Sequence, residues 1–540
     1  MNRRVAAVVL LSVVAATRSA VGQGDPGPNV GGRAEVFAGG ELENYLRYLQ
    51  TLGRVAQYPW GVRAFSPAEL DGLAPSDTTL PWSARYDLSA RAPGGVTVDW
   101  VAPTASARVN STFPYGYNDG PIWAGRGVTL AGQVGIALRW RGLSLTLAPM
   151  AFVAQNAAFR VGMNGFAGNL AYGDWLAPNV IDLPQRFGGS AYGRLDPGQS
   201  TARLDWGALA AGVTTANQFW GPATEFPIIL GNNAAGFPHA FLGTAHPVDL
   251  WLLRVHFRLL WGRLSQSAFS PETASAGLRF ASGINVNLTS RWVPGLEVGV
   301  TRFSHQPWPA GGPTFSDLVH VLRFQEAANA AKQVADNQLA SAYFRWVFPH
   351  SGFEVYGEYG RDDYNLDIRD LLEEPDHIGG YTFGFRKAIQ RPGNRLLAVR
   401  AELQNLQYSV LAQGRGWEPF YTHSTAVRQG HTQLGQMLGS AAGVGGAGSV
   451  VAVESYSPTG RWTWSWTRIL QRQRGDSGLA ATVPDPKGLD VQHELAVERL
   501  VFLGRYDLLA HLGMVYEFNR YFQSDAFNLN VIVGVRVGLR

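Results

Sequence analysis

The sequence contains no cysteine, only three lysines (Lys332, Lys387 and Lys487), and charged residues at just 16%. Without thiols there can be no zinc ribbon, thiolate catalysis or disulfide framework. Soluble domains usually carry charge at about 25%, so this chain is short of the charge that solvates an ordinary surface. Arginine supplies nearly all the positive charge, the net charge is +4, and no basic run of the kind that engages nucleic acid occurs. His246, His423 and His431 lack the spacing of metal ligands, so neither a metal nor a cofactor is implied. Beyond the N-terminus, no run of about 18 apolar residues is available to form a membrane helix. What is present over 540 residues is a 46% hydrophobic content, 64 glycines and 17 tryptophans. That content excludes a disordered chain.

The N-terminus reads as an address. Arg3 and Arg4 precede an apolar stretch over 5–16, and Ala20-Val21-Gly22 offers a cleavage site. Residues 1–22 are therefore expected to be a secretory signal peptide, too short for a membrane span.

From about residue 128 the chain alternates with period two. Trp251, Leu253, Val255, Phe257, Leu259 and Trp261 fall on one face, with Arg254, His256 and Arg258 on the other. Phe527, Leu529, Val531, Val533, Val535 and Val537 alternate with Asn528, Asn530, Gly534 and Arg536. Trp462, Trp464 and Trp466 oppose Arg461, Thr463 and Ser465. A helix would mix these sets, whereas a strand separates them. The segments run about 9–13 residues, the length of a tilted membrane strand. Aromatics recur at their ends, as at Trp140, Trp251, Trp261, Trp346 and Tyr516, which matches interfacial girdles. Lipid leaves no backbone group unpaired, so such strands must close on themselves. The expectation is an all-β outer-membrane barrel of roughly 16 to 18 antiparallel strands. Arg141-Gly142, Pro294-Gly295 and Asp196-Pro197-Gly198 are read as turns between neighbouring strands.

Other stretches break the alternation. Leu42, Tyr45, Leu46, Leu49, Leu52 and Val55 are spaced three and four apart, predicting an amphipathic helix over 41–57. Ser66 and Pro67 mark the cap and first position of a second helix, and an alanine-rich stretch over 316–339 predicts a third. Residues 23–85 are accordingly expected to form a small helical plug or base at the periplasmic end, and 86–540 the barrel with its loops. Two long irregular loops stand out, over 217–247 and 417–449, the second ending in a glycine-rich tract. Loops of that length are usually functional.

The motifs in these loops carry a resemblance. Asn217-Gln218-Phe219-Trp220-Gly221-Pro222 is followed by Pro227-Ile228-Ile229-Leu230-Gly231-Asn232-Asn233-Ala234 and Gly236-Phe237-Pro238. Further along come Phe353-Glu354-Val355-Tyr356-Gly357-Glu358-Tyr359 with Asp362 and Asp363, then Gly430-His431-Thr432-Gln433-Leu434-Gly435-Gln436-Met437-Leu438-Gly439 after His423. In order and spacing these resemble the Wzi capsule-assembly family of outer-membrane proteins. Ser440 stands where the resemblance would place a histidine. The resemblance implies an 18-stranded barrel with a helical base, acting as a surface lectin that holds exported capsular polysaccharide, not as an enzyme or an open channel. Its partners would be that polysaccharide, outer-membrane lipid, and the barrel-assembly machinery during insertion, with no nucleic acid.

A sugar site needs flat apolar faces for pyranose rings and planar hydrogen-bonding groups for hydroxyls. Trp220 and Phe237 offer the first, and Asn217, Asn232 and Asn233 the second, all within one loop. These five are the candidate polysaccharide-binding residues. The alternative is that the block is structural, its asparagines capping turns and its aromatics packing inward. Tyr356, Glu358, Asp362 and Asp363 are weighed likewise as cation or sugar ligands against lumen residues. For enzymes, Ser424 beside His423 shows no elbow motif, and Glu373-Glu374 reads as loop charge. A porin or anion-diffusion channel is the rival class, because Arg139, Arg254, Arg258, Arg279, Arg345 and Arg386 would line an anion-selective lumen. The same arginines could pair with Glu354, Glu402 and Glu494 across a closed one.

Overall fold

The computed structural model describes residues 36–538, except 74–79, 84, 87–94, 274–275, 324–335, 363–367, 377, 408, 410–417, 426 and 474–487. The signal-peptide expectation and the alanine-rich run lie outside the described residues. Twenty-one segments form one closed antiparallel barrel. Three pairs of these segments are single strands interrupted once, which gives eighteen strands. Each strand pairs with its neighbours in sequence, and Thr97–Asn110 closes the ring against Ser524–Val537.

Alternation decides which side chains face out. On Gly460–Gln473, Trp462 and Trp464 are exposed while Arg461 and Thr463 are buried. On Ser524–Val537, Phe527, Leu529 and Val533 face out and Asn528 and Asn530 face in. The exterior is thus the apolar band that lipid requires. One end carries tight turns such as Arg141-Gly142 and Pro294-Gly295, where Arg141 and Gly295 adopt positive φ. The other carries the long loops. Barrels of this kind point short turns to the periplasm and long loops outward.

Asp196-Pro197-Gly198 is a correction to the turn reading. Tyr192–Asp196 pairs with Met150–Ala154, and Thr201–Trp206 continues the same strand against Leu143–Leu147. Pro197 has no N–H for the ladder and Gly198 sits at φ +61°, so the strand is broken, not reversed. The helix expected over 316–339 is also corrected. Among the described residues of that stretch Phe315–Leu318 is α-helical, capped by Thr314 and Asp317, and the expected C-terminal end lies in the strand Asn337–Phe348.

The lumen is full. Helix α1 (Glu41–Thr51) ends sooner than its apolar spacing suggests, because Gly53 at φ +67° donates back to the Gln50 carbonyl and Arg54 to that of Leu49. Helix α2 (Pro67–Leu73) starts with a reciprocal cap between Ser66 and Glu69. Both lie at the short-turn end. Tyr45 packs on Trp82 with ring centroids 4.7 Å apart, and Trp82 on Tyr456 of the wall at 4.9 Å. The polar side of α1 is buried too: Arg47 donates to Glu354 at 2.6 and 2.9 Å, and Arg345 reaches the other oxygen of Glu354 at 2.8 Å. Lumen arginines thus find carboxylates here rather than water.

Candidate functional site

Two loops fold inward from the long-loop end, and they determine where a surface site can exist. The segment following Leu209–Thr214 dips into the barrel instead of arching over it. Val62–Arg63 pairs with Phe219–Trp220 as a short two-stranded sheet, and Gly221 donates to the Gly61 carbonyl at 2.9 Å. Glu402 on the wall accepts from the main-chain amides of Thr224, Glu225 and Phe226 at 2.6, 3.0 and 2.6 Å. The second loop lies on the first: Gly231 donates to the Leu438 carbonyl at 2.8 Å, and His431 bonds the Ile229 carbonyl at 2.7 Å while stacking on Tyr421. Ile228, Ile229, Leu230, Phe237, Tyr421 and Leu438 form a dry core inside the upper lumen.

This placement sorts the five candidate residues. Trp220 is fully buried against Gly283 of the wall, and Phe237 is buried against His239 and Phe303. Asn217 is buried, donating to the Gly231 and Ala234 carbonyls at 3.2 and 2.8 Å. Asn232 donates downward to the Ala38 carbonyl at 2.8 Å. Only Asn233 reaches a cavity. It accepts from the Asn118 amide at 2.7 Å and donates to the Gly439 carbonyl at 2.7 Å, so one side chain ties three loops together. The structure does not bring the other four together on any open surface. Tyr356 and Glu358 are lumen residues bonded to Glu402 and Ser341, Asp362 receives the Tyr421 amide, and Asp363 lies outside the described residues.

The cavity holding Asn233 opens at the long-loop end and has a volume of about 280 Å³. Its apolar faces are rings from separate segments: Tyr115, Tyr117 and Trp123 from one loop, Trp175 from a second, and Tyr521 from a third. Trp175 is braced edge-on by Tyr521 and Phe522 at 5.2 and 5.0 Å, and Trp123 by Phe187 at 5.2 Å. Amides supply planar donors and acceptors, from Gln185, Gln436, Gln471 and Gln492. Gln436 is oriented by its bond to the Gly120 carbonyl at 3.2 Å.

Three of its four carboxylates are paired with arginines. Arg472 holds Asp174, and Arg520 holds Glu517 at 2.5 Å, where Gln492 also donates at 3.0 Å. Asp119 is gripped by both terminal nitrogens of Arg108. Asp490 accepts the Tyr521 amide at 2.8 Å through one oxygen and lies against Glu517. Ser440 lines the same cavity. Below it, burial pushes the His431 imidazole down to about 4, with the Arg279 charge acting the same way and the Ile229 carbonyl opposing. Among the described residues no cluster of three or more His, Cys, Asp or Glu could hold a metal. A chemistry of rings, amides and paired charges at an open mouth suits hydroxyl-rich, ring-shaped ligands.

Sequence reasoning missed most of this lining, since Trp123, Trp175, Arg472, Glu517 and Arg520 come from distant segments with no shared motif. The aromatic run Tyr115, Tyr117 and Trp123 was the one local signal available.

Residues 117–457 match the model of the family described as capsule assembly protein Wzi. No curated protein matches the chain by sequence. Among solved structures, the Escherichia coli outer-membrane protein Wzi is similar at 13% identity, with 94% of this chain and 99% of that one covered and a TM-score of 0.62. It is described as a carbohydrate-binding β-barrel involved in group 1 capsule assembly. The Pseudomonas aeruginosa protein OccD3 matches at 10% identity, covering 83% and 93%, with a TM-score of 0.39, too low to carry an argument.

Proposed function

The chain belongs to the capsule assembly protein Wzi family, and on that premise we propose that it binds exported capsular polysaccharide and helps attach it to the cell surface. The observation that carries this reading is the cavity at the long-loop end, where rings and amides from widely separated segments meet. In this reading Trp123 and Trp175 give stacking faces, and Asn233, Gln436 and Gln492 bond hydroxyls. Asn217, Trp220, Asn232 and Phe237 then act one step removed, holding the loop that presents Asn233. Each hydrogen bond to a sugar nets only about 1 kcal/mol against water, so retention rests on many copies gripping one polymer.

The protein is a binder in this account and not an enzyme: three of the four cavity carboxylates are held by arginines, which suits recognition better than proton transfer. Outer-membrane lipid surrounds the wall, and the assembly machinery inserts it. Trp175→Ala and Asn233→Ala should each reduce capsule retained on cells severalfold while the amount secreted stays constant and the barrel remains heat-modifiable on gels. Unchanged retention with both variants would move the site elsewhere. The channel alternative is tested by planar-bilayer conductance, where the filled lumen calls for silence. Porin-like conductance of the wild-type protein would favour diffusion instead.

A further inference from the structure

The barrel wall is notched on one side. Leu209–Thr214 and His239–Thr244 are each six residues long, and the chain between them turns into the lumen. The neighbouring strand Leu253–Ser265 runs further toward the loop end. Above Thr214 and His239 the outer wall is therefore set back. The register lines up Leu145, Ala202, Val213, Ala240 and Trp261 directly opposite one another on adjacent strands. This row faces lipid, since Val213 is 60% exposed. Ala202 and Ala240 make its floor low, while Leu145 and Leu147 on one side and Trp261, Phe280 and Trp308 on the other make its banks high. The result is an outward groove of about 530 Å³ whose lining is almost wholly apolar.

Its upper end is not apolar. Arg263 stands there, exposed and facing outward opposite Phe280, with no ion pair to its guanidinium among the described residues. Trp251 and Trp261 lie about ten residues apart, one bilayer crossing for a tilted strand. Trp261 and Trp308 thus mark the outer interface, and Arg263 lies just beyond it, at the level of lipid headgroups. On a smooth wall acyl chains slide past. A groove with rigid aromatic banks and a cation at its mouth holds one chain and selects its headgroup.

We propose that this groove binds one acyl chain of an anionic outer-leaflet lipid, whose phosphate pairs with Arg263. The site lies on the lipid-facing wall, and its existence does not depend on the polysaccharide reading.

Native mass spectrometry of the purified barrel, equilibrated with mixed micelles of phosphatidylglycerol and phosphatidylcholine, tests it. Wild-type protein should retain one lipid with phosphatidylglycerol favoured at least fivefold. Ala240→Trp, which fills the floor, should cut retention at least fivefold, and Ala202→Leu serves the same purpose if the first variant does not fold. Leu512→Trp, outward-facing elsewhere on the wall, should change nothing. Arg263→Gln should keep the lipid but lose the headgroup preference. Equal retention by wild type and the filled-groove variants, or none by wild type, overturns the proposal. An unchanged preference in Arg263→Gln overturns the assignment of the headgroup.

Discussion

The N-terminal module of α1 and α2 and the infolded loops both occupy the lumen, but they meet the wall with different groups. The module offers charged side chains: Arg47 to Glu354, Glu69 to Arg203 and His256, and Glu41 to Arg461 at 2.5 Å. The loops offer mostly main chain, with Glu225 on Arg400 at 2.6 Å as a side-chain pair. Glu402 takes three of their amides, and Arg279 donates to the Gly430 and Thr432 carbonyls at 2.7 and 2.5 Å. A polar wall can therefore be satisfied in two ways. One depends on which side chains the insert carries, and the other on the path its backbone takes. Both inserts also hold an apolar core, and the module adds buried ion pairs whose loss leaves a bare charge.

Four experiments break or sharpen that contrast. The largest effect is expected from Glu354→Ala, which strands Arg47 in a buried site and leaves Arg345 with Glu297 alone, a cost of about 3–5 kcal/mol for a broken buried pair. The barrel should still fold, while the module loosens and measurable conductance appears in a planar bilayer. A silent variant would mean the module is not held by charge. Phe237→Ala should cost about 3 kcal/mol, in the range for a buried aromatic. It should expose the 217–238 segment to protease without opening the short-turn end.

Acid should loosen the loops through His431. The folded His431 sits near 4 against an ordinary 6.5, so the unfolded chain binds the extra proton as pH falls between those values. The loops' contribution is complete above 6.5 and declines toward 4, by up to about 3 kcal/mol at 1.36 kcal/mol per unit. In the module, burial raises Glu43 and Glu69, but Arg63 and Arg47 for the first and Arg203 and His256 for the second outweigh it, leaving both below the ordinary 4.5. Their support is lost only as pH drops below that value. Protease sensitivity of the loops should therefore rise between pH 6.5 and 4, and a profile flat across that range would refute the assignment. Asn232→Ala is the mildest change, removing one bond between loop and module for about 1 kcal/mol, visible as a small shift in melting temperature.

Much of the wall was legible, because period-two alternation states inside and outside directly. Trp462, Trp464, Asn528 and Asn530 face as the pattern says. The break at Pro197-Gly198 was misread, since a turn and a strand interruption use the same residues. The candidate site was legible only at Asn233. Trp220 and Phe237 carry sugar-binding chemistry in sequence, yet a loop that dives into a barrel and one that stays outside have the same composition. What separates them is the wall's vacancy, here the space over Gly283 that Trp220 fills, and that is set by residues far away. The cavity's other rings share no motif because the barrel, not the chain, brings them together.

The module's partners also have a bearing on time. Asn44 bonds Glu454 and Tyr456, Glu41 meets Arg461, and Arg85 reaches Gly504. Each contact joins the start of the chain to strands made more than 400 residues later. Such distant contacts are among the slowest to form. The first segment to be exported is thus the last to find its seat, and it can settle only once the final strands exist to receive it. The seat of the N-terminal module is built from the last strands of the wall, so closing the lumen depends on completing the barrel.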